Sequence, residues 1–190
     1  LEAARLLAYR PNITARNLQA SETRLFAYTW QPSPPDHFNP ILDSFLQAAV
    51  YAAAERGYRF LVFPTHSVAE EVATYETLVR EGQVDGFVLS NTNLDDARVE
   101  HLMAANFPFV AFGRSNPRWD FPSVDVDGTF GVRRAVQHLH ERGHRRIGVL
   151  AWPEESLTGR YRLQGYAEEM AAANLPLCPD WVRRTENRYS

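Results

Sequence analysis

Apolar and polar positions along this chain switch repeatedly between two periods. Short runs rich in β-branched and aromatic residues occur at Leu25–Trp30, Tyr58–Pro64, Val84–Ser90, Pro108–Phe112, Ser123–Val126 and Ile147–Leu150. Each predicts a strand. Between them lie stretches with helical spacing: Pro40–Arg56, Ser67–Glu81, Asp95–Ala105, the segment from Asp127 to Gly143, and Thr158–Asn174. The boundaries carry start and stop chemistry. Pro40 suits a first helical position and Gly57 a stop. Ser67 with Glu70 has the spacing of a capping box. Asp127 can accept the free N–H groups of a first turn, and Gly143 can end that helix in the left-handed conformation. Strand, helix and strand from Ser123 to Ala151 form a βαβ unit. The expected fold is therefore α/β, a parallel sheet with helices on both faces.

The same pattern predicts what is buried. Val99 and Leu102 should point inward from their helix, as should Leu163, Tyr166, Ala167 and Met170 from theirs. Val132, Ala135, Val136 and Leu139 recur as one apolar stripe. Ile147–Leu150 reads as a strand buried on both faces. Ile41, Leu42, Phe45, Leu46, Ala49, Ala52 and Ala53 spread over more than one helix face, which predicts cover on two sides. After Pro176 the signal weakens, and Trp181–Val182 is expected to begin a further strand.

Composition narrows the class. The 190 residues are 45% hydrophobic, enough for one domain or one and part of another. A formal charge of −3 and a pI near 6.1 do not fit a surface that binds nucleic acid throughout, so any such contact must be local. One cysteine, Cys178, precludes an internal disulfide framework and suits a reducing compartment. The apolar runs are too short to span a bilayer, and the charged start is expected not to be a secretory signal. Against the global sign, Arg5, Arg10 and Arg16 outnumber Glu2 in the first eighteen residues. Pro11 breaks an initial helical stretch there, and Ile13–Leu18 is long enough for only about two helical turns.

No catalytic signature is present: no G-x-G-x-x-G, phosphate-binding Walker loop, G-x-S-x-G or C-x-x-C. His138 and His140 fall on nearly opposite helix faces and Gly143 intervenes before His144, so a metal site is not expected. In open α/β sheets ligands bind beyond the carboxyl ends of the strands. Those ends bring forward Ser90, Arg114 and Trp152, with Trp30, Phe38 and Trp119 as further aromatic candidates for a stacking wall. Asp127 is explained by helix capping alone, yet its second oxygen is available to a ligand hydroxyl. Arg162 lies early in its helix, where an arginine gains nothing from the dipole. It is either simply exposed or a donor aimed at a ligand.

Several motifs, in order, resemble the LacI/GalR (lac repressor) family of bacterial transcription regulators. They are Tyr9-Arg10-Pro11-Asn12-Ile13-Thr14-Ala15-Arg16-Asn17-Leu18, Tyr58 after Gly57, Val84-Asp85-Gly86, Asp127-Gly128, Gly143-His144-Arg145-Arg146-Ile147 and Arg162-Leu163-Gln164-Gly165-Tyr166. The resemblance implies a modular protein. Residues 1–20 would be the end of a DNA-binding headpiece and a hinge helix, whose Asn12, Ala15, Arg16 and Leu18 contact the minor groove. The core would be periplasmic-binding-protein-like, with residues 21–145 as the N-terminal lobe and 146–190 as the start of an incomplete C-terminal lobe. Effector contacts would be Ile41, Leu42, Asp127 and Arg162, joined by the strand-end candidates Ser90, Arg114 and Trp152. The resemblance also implies operator DNA as partner, a homodimer through the Ile41–Ala53 helix, a cytoplasmic location, and neither cofactor nor catalysis. Phe26-Ala27 departs from the family's usual Ile-Gly, and the loop Gln31–Asn39 has its own sequence. The expected function is a ligand-responsive repressor. A sugar is the preferred effector, because a carboxylate, an arginine and aromatic walls suit hydroxyl-rich rings; a purine or another metabolite is the alternative. The competing reading is an extracytoplasmic sugar-binding protein with no DNA role.

Overall fold

The computed structural model describes residues 22–30, 39–154 and 156–185. The hinge candidates Asn12, Ala15, Arg16 and Leu18, and Phe38 of the proline-rich loop, lie outside the described residues. The chain divides into two compact units. Among described residues, one comprises 22–30, 39–88 and 104–109, and the other 89–103, 110–154 and 156–185.

In the first unit, β1 (Leu25–Trp30) lies between β2 (Arg59–Pro64) and β3 (Gly86–Leu89), all parallel. Helix α1 (Pro40–Glu55) connects β1 to β2, and α2 (Val68–Arg80) connects β2 to β3. This is the expected βαβ construction. The Val-Asp-Gly motif explains the entry to β3. Asp85 accepts hydrogen bonds from the N–H groups of Thr23 and Arg24 and from the Thr23 hydroxyl, at 2.7–2.8 Å, and so ties β1 to β3. Gly86 has no room for a side chain, since a Cβ there would lie 3.1 Å from the Pro108 carbonyl oxygen. Tyr75 of α2 sits at the centre, against Phe63 and Phe87. Its hydroxyl donates to the buried Glu71 carboxylate. With its one proton so used, it accepts from the Thr29 hydroxyl at 2.9 Å.

In α2 the expected cap forms: the Ser67 hydroxyl accepts from Glu70 N at 3.2 Å. The Glu70 carboxylate reaches one residue further back than a capping box requires and accepts from His66 N. Helix α1 departs from expectation. Only Ala53 is buried, and Ile41, Val50 and Tyr51 are exposed. It packs against β2 along one side, so the second covered face predicted from its broad apolar content is open in the single chain.

In the second unit, α3 (Ala97–Ala104) turns Val99 and Leu102 fully inward, as expected. Strand β4 (Phe109–Phe112) pairs in parallel with β5, which is only Ser123–Val124 rather than the predicted Ser123–Val126. Helix α4 (Gly128–Glu141) follows, then β6 (Val149–Ala151), α5 (Leu157–Ala172), a 3-10 turn (Pro179–Trp181) and β7 (Val182–Arg184). Strands β6 and β7 pair in parallel in a two-stranded sheet of their own, whereas β5 belongs with β4, so the two strands of the unit expected over Ser123–Ala151 do not share a sheet. Val136, Ile147, Tyr166, Met170 and Leu175 form the core here, with Val132, Leu163 and Trp181 against it. Ala135 and Leu139, expected in the same stripe, stay exposed. The strand predicted at Ile147–Leu150 is shifted, and it is not buried on both faces. Leu150 is 76% exposed, because only one face of β6 rests on the α4–α5 core. Trp181, expected to open the last strand, instead closes the turn before it. Gly57 and Gly143 adopt positive φ, +77° and +90°, as their stop positions require.

Candidate functional site

The chemistry-bearing residues of the second unit converge where β4, β6, α4 and α5 begin or end. Asp127 caps α4 as expected: Oδ1 accepts from Phe130 N at 2.8 Å. The side chain is exposed and its other oxygen has no protein donor among the described residues. Gly128 follows, and a Cβ there would meet Arg162 Cγ at 3.2 Å. The arginine stem therefore crosses the first turn of α4. Its guanidinium lies over the Trp152 ring, 4.7 Å from the centroid. Such a contact is worth about 0.5–2 kcal/mol. The Arg162 N–H groups meet no acceptor among the described residues. Asp127, Arg162 and Trp152, three of the residues picked from sequence, thus gather at one place.

The close approach of α4 and α5 that makes this geometry depends on Gly165. Any side chain there would collide with the backbone of Thr129. The Thr129 hydroxyl adds a hydrogen bond to the Tyr161 carbonyl oxygen at 3.0 Å. Three residues of the Arg-Leu-x-Gly-aromatic motif therefore have separate tasks. Arg162 points to the site, Gly165 admits α4, and Tyr166 is buried with its hydroxyl donating to Ile147 O at 2.8 Å. Burial raises the Tyr166 pKa, with the nearby Cys178 adding to the effect.

Arg114, after β4, pairs with Asp125 at 3.2 Å and lies over the Tyr161 ring at 5.7 Å. Its charge is thus largely balanced before any ligand arrives. Its position is set by the loops around it. Thr92 Oγ1 donates to the Arg114 carbonyl at 2.9 Å. Ser115 Oγ donates to Asn93 O at 2.8 Å and accepts from Asp96 N at 3.0 Å. Below these lies a buried pair in which the Arg98 guanidinium donates to both oxygens of Asp96, at 2.7 and 2.9 Å. Arg98 also donates to the carbonyls of Ser90 and Asn91 at 3.2 Å. Burial pushes the Asp96 pKa upward, but Arg98 and the N–H groups of Asn93 and Arg98 outweigh it, and the carboxyl ends below its usual value of 3.8. Ser90 is buried at the end of β3, inside this clamp.

Sequence reasoning passed over Asp125, Tyr161 and the Asp96–Arg98 pair, and it named Gly165 within its motif without a task. For Asp125 a signal existed: Asp125 and Asp127 alternate with valines, which puts both carboxylates on one side of an extended run. For Asp96 and Arg98 there was none, because the carbonyls of Ser90 and Asn91 and the hydroxyl of Ser115 gather around the pair only once the fold has formed. Ile41 and Leu42 belong to the first unit, at the start of α1. There Leu42 N donates to the Asn39 cap at 3.3 Å, and Ile41 is exposed. Among the described residues no group of histidine, cysteine or acidic side chains is placed to hold a metal ion. His140 Nδ1 instead lies 3.1 Å from Arg145 Nη1. No described helix is long and apolar enough to cross a membrane.

A family profile described as periplasmic binding proteins and sugar binding domain of LacI family matches residues 34–190. Over 184 residues the chain is 29% identical to the HTH-type transcriptional repressor CytR of Escherichia coli K12, covering 96% of this chain and 52% of that protein. The crystal structure of a regulatory protein of LacI family from Chloroflexus aggregans is 48% identical and superposes with a TM-score of 0.83, covering 87% of this chain and 59% of that one. A complex of the transcriptional regulator CelR with cellobiose is 29% identical with a TM-score of 0.76, covering 98% and 55%. The chain spans about half the length of the curated relatives it matches.

Proposed function

This chain belongs to the family of periplasmic binding proteins and LacI-type sugar-binding domains, and from that premise we propose that it is the effector-sensing part of a ligand-responsive transcriptional repressor. The observation that carries the reading is the pairing of unmet donors and an unmet acceptor at the start of α4. Among the described residues, Arg162 offers N–H groups with no acceptor, and Asp127 offers an oxygen with no donor. Adjacent hydroxyls of a sugar satisfy both at once. Trp152 and the Arg114–Asp125 pair border this grip, while Ser90, Ile41 and Leu42 complete the proposed set of effector contacts.

The remainder of the proposal concerns the whole protein. Residues 1–20 hold the end of a headpiece and a hinge, with Asn12, Ala15, Arg16 and Leu18 against operator DNA. Residues 21–145 and 146–190 are proposed to contribute to two lobes around the effector. The exposed apolar residues of α1 are the proposed homodimer surface. A cytoplasmic location follows from the DNA role. The role is one of binding rather than catalysis. Relatives named as regulators support this reading over that of an extracytoplasmic solute-binding protein.

The test is a thermal-shift panel on the intact protein with cellobiose, other sugars and nucleosides. A bound effector at about 100 times its Kd adds about 2.7 kcal/mol of stability. Asp127→Asn and Arg162→Lys should each abolish most of the shift given by the active sugar. A shift that survives both changes defeats the assignment.

A further inference from the structure

Arg162 is held from two directions, and the second has a consequence for recognition. Its stem lies across Gly128, and its guanidinium is seated on the Trp152 indole. Trp152 is itself fixed by groups with no part in gripping a ligand. Arg184 Nη1 donates to its carbonyl oxygen at 2.9 Å, tying the end of β6 to β7. On the other side, the missing side chain of Gly159 makes space for it, since a Cβ at Gly159 would lie 2.8 Å from Trp152 Cβ. Ser156, next to that contact, caps α5 by accepting from Gly159 N at 3.1 Å. The backbone and Cβ of Trp152 are therefore held on two sides, and the Arg162 guanidinium lies over its indole.

A guanidinium on an aromatic face keeps its N–H groups in its own plane, directed away from the ring. The Arg162 N–H groups meet no acceptor among the described residues, while its guanidinium carbon occupies one face of the indole, 4.7 Å from the centroid. We propose that Trp152 is a positioning residue for Arg162, not the wall on which an effector ring stacks. This rests on the reading of Asp127 and Arg162 as the effector grip. It refines the ligand class to one recognised at this point edge-on, through paired oxygens accepting from the arginine rim, such as vicinal hydroxyls. A flat base stacked on this indole is not accommodated while Arg162 occupies it.

The experiment has one arm that needs no ligand. In the intact protein, the emission of Trp152 is isolated as wild type minus Trp152→Phe. Arg162→Met should shift that component to the red and at least double its quenching by acrylamide, because the covered face is released. An unchanged component overturns the proposal. The second arm uses cellobiose as probe in calorimetric titration. Trp152→Leu should weaken binding at least tenfold, while Trp152→Phe, which keeps an aromatic plate, should stay within threefold of wild type. Equal loss in both variants, or loss in neither, overturns the positioning role. If wild type ignores cellobiose but the emission arm responds, the sugar reading fails and the positioning of Arg162 by Trp152 stands. Should Trp152→Leu fail to fold, the Arg162→Met arm decides alone.

Discussion

Gly165 illustrates how much one absent side chain settles. A Cβ there would collide with the backbone of Thr129, so the close packing of α4 on α5 depends on its absence. That contact brings Gly128 under the Arg162 stem. Gly165→Ala cannot be absorbed by a flexible side chain, because the obstacle is the Thr129 carbonyl. Helix propensity favours the substitution by about 1 kcal/mol, but overpacking typically costs about 1–3 kcal/mol, and more where backbone must move. Loss of stability should therefore win. Urea denaturation should show Gly165→Ala destabilised by at least about 1 kcal/mol, whereas Gly131→Ala, where an added Cβ meets nothing within 4 Å, should be neutral or stabilising. Phe26 shows the same logic with a side chain present. It stacks on Tyr58 with centroids 4.4 Å apart and planes 5° from parallel. The family's usual isoleucine at that place would forgo the stack, so the departure at Phe26 is matched by its neighbour Tyr58.

At the scale of elements, caps and stops were readable because their chemistry is local. Asp127, Ser67, Gly57 and Gly143 act on residues within one turn, and their positions announce them. The second face of α1 and the burial of β6 were misjudged for one shared reason. Apolar content says what a surface can bury, not whether a partner is present, and Leu150 and Tyr51 remain exposed in the single chain. At the candidate site, Asp127 was legible as a helix cap with an oxygen to spare, and Arg162 as an arginine that gains nothing from the helix dipole. The loop clamp of Asp96, Arg98 and Ser115 was hidden, since Ser115 reaches Asn93 and Asp96 only after the fold has formed. The clamp has a pH signature. Because the folded pKa of Asp96 is depressed, its contribution is complete above the unfolded value, near 3.9, and is lost as pH falls through the lower folded value. Asp96→Asn leaves a buried arginine short of its counter-charge, which typically costs about 3–5 kcal/mol. Urea midpoints should show that deficit in full at pH 7 and shrinking below about pH 4. A deficit independent of pH would mean that packing, not charge, holds the loops.

For the molecule as a whole, the proposed regulator has to connect an effector grip to a distant arm that holds DNA. Effector can move that equilibrium only by binding one state better than the other, and the coupling is reciprocal: if effector weakens operator binding tenfold, operator weakens effector binding tenfold. The proposed hinge, Ile13–Leu18, has the length of only about two helical turns, and isolated helices below about 12–15 residues are marginal in water. Leu18 and Arg16 then separate cleanly in their effects. Under the proposed reading, Leu18→Ala would remove an apolar wedge from the minor groove. Operator affinity of the intact dimer, read by fluorescence anisotropy, should fall at least tenfold, about 1.4 kcal/mol. Arg16→Ala removes one phosphate-neutralising charge and should lower the slope of log affinity against log salt by about one. Neither variant touches the effector grip, so the effector-induced thermal shift should match wild type in both. Unchanged operator affinity in Leu18→Ala would detach the hinge from DNA recognition, and a lost thermal shift would place Leu18 in the core rather than on the duplex.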